Sequence, residues 1–150
     1  MDYEMLKKEI DALTSGVPYE TANLANASAA LWQAMENINW AGFYLMESGK
    51  LVLGPFQGKP ACIEIPLGRG VCGTAALEKR TVLVEDVHQF PGHIACDSAS
   101  NSEIVVPIFK NGQVYGVLDI DSPYLARFTR EDQRELEEIV QILEKNIFTY

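Results

Sequence analysis

Apolar positions recur along this chain with two periods, and the switching between them sets out an order of elements. Residues 2–14 carry Leu6, Ile10 and Leu13 at helical spacing, after which Gly16 and Pro18 break the chain. From about Glu20 to Asn37 the helical period returns with Leu24, Ala27, Leu31, Ala34 and Met35. The period falls towards two at Trp40 to Met46 and at Leu51 to Phe56, joined by the turn signal Glu47-Ser48-Gly49-Lys50. A third strand is expected over Cys62 to Ile65. Gly68-Arg69-Gly70 then opens a short helix reaching about Lys79, and Thr81 to Val84 forms a fourth strand. Asp86 to Ser102 shows no period and reads as a long loop, the kind of segment that carries function in a compact domain. Strands Glu103–Phe109 and Val114–Asp121 flank Asn111-Gly112, a strong hairpin signal. The last helix, about Arg130 to Ile147, buries Leu136, Ile139, Val140, Leu143 and Ile147 and starts at a capping box of Thr129 and Asp132. The expectation is a single α+β domain over residues 1–150, with a largely antiparallel six-stranded sheet and helices packed mainly on one face.

Composition narrows the function classes. The 150 residues are 47% hydrophobic and 22% charged, as in a water-soluble globular domain. A net charge of -9 with no basic face argues against nucleic-acid binding and against docking on anionic membranes. The start Met1-Asp2-Tyr3-Glu4 has neither a basic n-region nor an apolar h-region, so the expected compartment is the cytosol. There thiols stay reduced, and three cysteines read as catalytic, metal-binding or inert rather than as structural staples.

Those three cysteines, Cys62, Cys72 and Cys96, lie in one window that leads into Glu103, Asp119 and Asp121. Thiols beside carboxyls are the ingredients of reversible sulfur redox chemistry: a thiolate attacks, an acid supplies a proton, and a second thiol clears the sulfenic acid. The bland alternative is three small buried hydrophobes. Strand alternation puts Tyr115, Val117, Asp119 and Asp121 on one face, with Gly116, Leu118 and Ile120 on the other. Two carboxyls at i and i+2 on a buried face raise a pKa and can supply a general acid; at a strand end in water they do nothing of the kind. Trp40 and Tyr44 point the same way across Gly42, leaving room for a small ligand against the backbone, or else they pack the core. Gly68-Arg69-Gly70-Val71-Cys72-Gly73 brings backbone N–H groups to a helix start, where an anion can sit.

The assembly of motifs resembles the GAF domains and, among them, the free methionine-(R)-sulfoxide reductases. The resemblance runs from residue 20 to the C-terminus. It rests on 39–44 (Asn-Trp-Ala-Gly-Phe-Tyr), 54–62 (Gly-Pro-Phe-Gln-Gly-Lys-Pro-Ala-Cys) and 68–73 (Gly-Arg-Gly-Val-Cys-Gly). It continues at 93–97 (His-Ile-Ala-Cys-Asp), 102–107 (Ser-Glu-Ile-Val-Val-Pro) and 118–122 (Leu-Asp-Ile-Asp-Ser). The resemblance implies reduction of free L-methionine-(R)-S-oxide, with Cys96 as the attacking cysteine and Cys62 as a resolving one. Cys72 is the third family cysteine, a candidate for alternative resolution. Glu103, Asp119 and Asp121 would hold and protonate the sulfoxide oxygen, while Trp40 and Tyr44 would line the S-methyl pocket. The helix start at Gly70, Val71 and Cys72 could take the substrate carboxylate. A thioredoxin-type reductant, no metal or organic cofactor, and a homodimer are implied as well.

Two other classes remain open on the residues. Cys62, Cys72, Cys96 and His93 could form a metal site, although no close C-x2-C pair supports it. A non-catalytic GAF sensor for a small ligand is the main alternative. His88 reads as a surface or loop-packing residue.

Overall fold

The two sequence periods become two layers of helices around one sheet. The computed structural model describes residues 1–93 and 99–148. Helices α1 (Tyr3–Thr14) and α2 (Glu20–Ala34) precede a hairpin of β1 (Trp40–Glu47) and β2 (Lys50–Gly58). Short strand β3 (Glu64–Pro66), helix α3 (Gly70–Glu78) and strand β4 (Val82–Val84) follow. After one 3-10 turn at Val87–Gln89, β5 (Ser102–Lys110) and β6 (Gln113–Ser122) form a second hairpin, and α4 (Arg130–Ile147) closes the fold. The strands lie in the order β3-β2-β1-β6-β5-β4, with antiparallel neighbours throughout. Among the described residues no helix is long and apolar enough to cross a membrane.

Pleat alternation gives the sheet two unlike faces. On one face Ala41, Phe43, Ile104, Val106, Leu118 and Ile120 pack with the buried stripes of α1, α2 and α4. The α4 stripe contains the residues that the periodicity selected, and Thr129 and Asp132 form the expected capping box. On the other face Trp40, Tyr44, Val105 and Val117 pack with α3 and β4. Three helices on one face and α3 on the other agree with the expected arrangement.

Several local expectations shift. Leu13 is 36% exposed, because the buried stripe of α1 continues from Ile10 to Thr14, whose hydroxyl donates to the Ile10 carbonyl. Helix α2 stops at Ala34, with Met35 still buried just beyond it. Cys62 precedes β3 rather than lying in it.

The largest departure concerns Tyr115. It packs with the helical face and meets Phe148 edge-on, away from Val117 and Asp119. The cause is a β-bulge: Ile108 pairs with Gly116 but Phe109 pairs with Val114, so Tyr115 is the extra residue and alternation restarts there. A second irregularity lies in β2, where Gly54 and Pro55 fall between the pairs Gly42–Phe56 and Tyr44–Leu53. It brings Phe56 over Gly42, and a Cβ at position 42 would stand 2.2 Å from that of Phe56. The room beside Gly42 therefore belongs to Phe56, not to a ligand.

Candidate active site

Sheet register places the acids. Asp119 and Asp121 stand two apart on β6, so both face α3. Glu103 lies directly opposite Asp121 on β5, and Trp40 lies opposite Asp121 on β1. Helix α3 brings Cys72 down onto this patch, with its Sγ 3.9 Å from Glu103 Oε2. One ligating atom from each of Cys72, Glu103 and Asp119 lies within 4.8 Å of the others. Residues 72, 103 and 119 are 4%, 8% and 5% exposed, whereas Asp121 is half-buried at the rim.

Burial dominates the electrostatics. It pushes the Glu103 carboxyl well above the ordinary carboxylate range, and the charges of Asp119 and Asp121 push the same way. Asp119 is also raised by burial, but hydrogen bonds from Glu103, Cys72 and Asp121 pull it back. The two carboxyls titrate as a pair, and both are shifted towards the protonated form, Glu103 the more strongly. Cys72 is raised well above the usual thiol range by burial, then by Asp119 and Glu103, so it rests as a thiol and not as a nucleophilic thiolate. Asp119 Oδ1 is buried with no hydrogen-bond partner among the described residues. An acceptor left like this is costly unless something arriving in the pocket satisfies it.

The walls are aromatic. Trp40 stacks on Phe56 at 5.0 Å between ring centroids and on Tyr44 at 5.8 Å. Both polar ends reach the segment after β2: Trp40 Nε1 donates to the Lys59 carbonyl at 3.1 Å, and the Tyr44 hydroxyl donates to the Cys62 carbonyl at 2.9 Å. These two rings therefore anchor the loop that carries Cys62 as well as lining the cavity. Pro60 and Ala61 from that loop also face the cavity.

The glycine turn supplies the remaining wall. Gly70 adopts φ 62°, a left-handed conformation open to glycine, which lets the chain turn into α3. Its N–H donates to the Gly92 carbonyl at 3.0 Å, so Gly70 is not available as an anion donor. Among the described residues no side chain caps α3, which leaves the Val71 and Cys72 amides as the donors at the helix start. The Gly92 contact also ties the long loop to the site. Earlier in that loop His88 Nε2 lies 3.0 Å from Asn101 Oδ1, as a loop-packing residue would.

Cys96 lies outside the described residues. Among the described residues Cys72 gathers with Glu103 and Asp119; the alternative metal set of Cys62, Cys72, Cys96 and His93 includes Cys96 and so lies partly outside them. Arg69 and His93 line the cavity although sequence reasoning gave neither a substrate role. Arg69 could have been noticed as the one cation inside the glycine turn. Burial and the charge of His88 lower the pKa of His93, keeping the imidazole neutral near pH 7.

An antiparallel six-stranded sheet with a small-molecule cavity under a short helix is the plan of a GAF domain, and the GAF domain family model matches residues 23–147. The chain is 54% identical over 147 residues to the free methionine-R-sulfoxide reductase of Escherichia coli, covering 98% of this chain and 89% of that one. The solved structure of the fRMsr of Staphylococcus aureus in complex with substrate matches with TM-score 0.94 at 54% identity, over 97% of this chain and 95% of that one. The free methionine-R-sulfoxide reductase of Neisseria meningitidis, solved with its substrate, matches with TM-score 0.93 at 48% identity, covering 96% and 87% of the two chains. This chain belongs to the GAF-domain family and, within it, to the free methionine-R-sulfoxide reductases.

Proposed function

We propose that the chain reduces free L-methionine-(R)-S-oxide to methionine in the cavity between α3 and the sheet. The observation that carries this reading is the buried Glu103–Asp119 pair, both carboxyls raised by burial, in a cavity also lined by Trp40 and Tyr44, with Asp119 Oδ1 lacking a hydrogen-bond partner among the described residues. A sulfoxide oxygen departs poorly as oxide, so a donor must neutralise the charge developing on it. A proton held by Glu103 and Asp119 answers that need, and Asp121 at the rim adds a carboxylate suited to the substrate ammonium. The Val71 and Cys72 amides suit its carboxylate.

The chemistry assigned to the thiols balances. Cys96 thiolate attacks the sulfoxide sulfur as its oxygen is protonated, forming a bond from Cys96 sulfur to methionine sulfur, and the oxygen, protonated again, leaves as water. A water then attacks Cys96 sulfur and that sulfur–sulfur bond breaks, so methionine leaves and Cys96 is left as a sulfenic acid. The methionine sulfur is reduced by two electrons and the cysteine sulfur is oxidised by two. Cys62 then attacks the sulfenic sulfur, water departs, and a disulfide remains for a thioredoxin-type dithiol to reduce. The hydrogen bonds from Trp40 and Tyr44 to the Cys62 loop support its resolving role. The raised pKa of Cys72 argues that this residue helps hold the proton and substrate rather than attack. A single domain of all 150 residues acting as a homodimer completes the reading; α1 shares the core of α2 and α4.

The test is incubation of the reduced chain with thioredoxin and each sulfoxide separately, with methionine quantified. Turnover is expected with the free R epimer and little with the S epimer or a sulfoxide-containing peptide. Equal rates on the peptide would overturn the assignment of a closed amino-acid pocket.

A further inference from the structure

The floor of the cavity has a second chemical capacity. We propose that Cys72, Glu103 and Asp119 form a three-ligand site for a thiophilic divalent cation of the zinc class, and that the bound cation blocks the pocket. One sulfur and two carboxylate oxygens, each within 4.8 Å of the others, already converge there. A tetrahedral ion with bonds of about 2.3 Å to sulfur and about 2.0 Å to oxygen holds such atoms about 3.5 Å apart. The observed separation from Cys72 Sγ to Glu103 Oε2 is 3.9 Å, so small side-chain rotations complete that edge.

The second observation is Asp119 Oδ1, buried with no partner among the described residues, on a residue 5% exposed that faces the cavity. A lone pair held this way accepts either a hydrogen-bond donor or a cation. The donor set chooses which cation. Three protein ligands including sulfur are too few and too soft for calcium or magnesium, which take six or more oxygens or keep several waters. Zinc is satisfied by three protein ligands and one water, and the open cavity supplies space for that water. The cation also offsets the mutual repulsion of its own ligands. Exclusion of the sulfoxide by this cation rests on the proposed reaction; binding of the cation does not.

Cobalt(II) is the probe, because its thiolate complexes absorb strongly. It is titrated into a reduced Cys62→Ser/Cys96→Ser double variant, in which Cys72 is the remaining thiol. A thiolate-to-cobalt band saturating at one equivalent per chain, and displaced by zinc, is expected. Adding Glu103→Gln or Asp119→Asn should weaken binding at least tenfold, with circular dichroism verifying the fold of each. The amide variants keep side-chain volume, so the test does not depend on deleting the thiol. Absence of the band, or a band insensitive to both carboxyl changes, would overturn the inference. A chain that turns over the sulfoxide but binds no cobalt at Cys72 keeps the proposed function and loses the cation site. One that binds cobalt but reduces no sulfoxide shows the opposite.

Discussion

The two faces of the sheet are made from the same strands and do opposite things. On β6, Leu118 and Ile120 face α1, α2 and α4, where the neighbours are hydrocarbon and burial contributes stability at about 25 cal/mol per Å² of apolar surface. One residue along, Asp119 faces α3, where burial raises its pKa and leaves Oδ1 without a hydrogen-bond partner among the described residues. The first face is closed further by Lys7, which bridges α1 to Glu135 and Glu138 of α4, and by Asn146, which donates to Asp11 and Thr14. The second is bounded by a bulged β2, which brings Phe56 over Gly42, and by the start of α3, for which no side-chain cap is found among the described residues. Alternation of side chains thus lets one strand serve a stabilising face and a reactive one, and substitutions on the two should separate stability from rate.

The largest separation is expected at Glu103. Glu103→Gln keeps the shape but removes the proposed proton source, so turnover with the R-sulfoxide should fall by about 10²–10⁴, while the melting temperature holds or rises as repulsion is relieved. A fall in melting temperature would make this carboxyl structural. On the opposite face, Leu136→Ala at a fully buried α4 position should destabilise by about 2–5 kcal/mol. Turnover per folded chain should stay near wild type well below the transition. Chemical denaturation paired with initial rates checks both variants.

A pH titration of stability sharpens the same contrast. Glu103 and Asp119 have folded pKa values raised above their unfolded ones, so the folded state binds more protons than the unfolded between those values. Their contribution is fully present below the ordinary carboxylate range and is lost as pH rises through the raised folded values. The stability advantage of Glu103→Gln over wild type should therefore grow from mildly acidic to neutral pH. A constant difference, measured by urea midpoints across that range, would contradict the raised pKa.

The smallest effect is expected at Tyr44. Tyr44→Phe removes the hydrogen bond to the Cys62 carbonyl, worth about 1 kcal/mol of stability. Release of the first methionine should persist while disulfide formation slows, as read by thiol loss after rapid mixing. Equal slowing of both steps would place the hydroxyl at the substrate rather than at the loop.

Much of this was legible because hydrophobic periods are local. The α4 stripe, both hairpins and the placement of Asp119 and Asp121 on one strand face follow from spacing alone. What was not legible depended on partners distant in sequence. Tyr115 changed faces because a bulge opposite Phe109 added a residue, and nothing local to Tyr115 signals it. Gly42 read as ligand space because Phe56 is brought over it by an irregularity at Gly54 and Pro55. Gly70 read as an anion donor because its amide partner, the Gly92 carbonyl, lies in an aperiodic loop. The spacing of the acids was visible, but their burial was not, since it is created by α3 packing across the strands.

The central claim is that the reactive face delivers one sulfoxide reduction per attacking thiol before any reductant is needed. Reduced wild-type, Cys62→Ser and Cys96→Ser chains are mixed separately with excess free methionine-R-sulfoxide, without reductant, and methionine is counted per chain. About one methionine per chain is predicted from wild type and from Cys62→Ser, and none from Cys96→Ser, since the attack that forms the sulfenic acid requires that thiolate. Release from Cys96→Ser equal to wild type, or no release from wild type, would contradict the account.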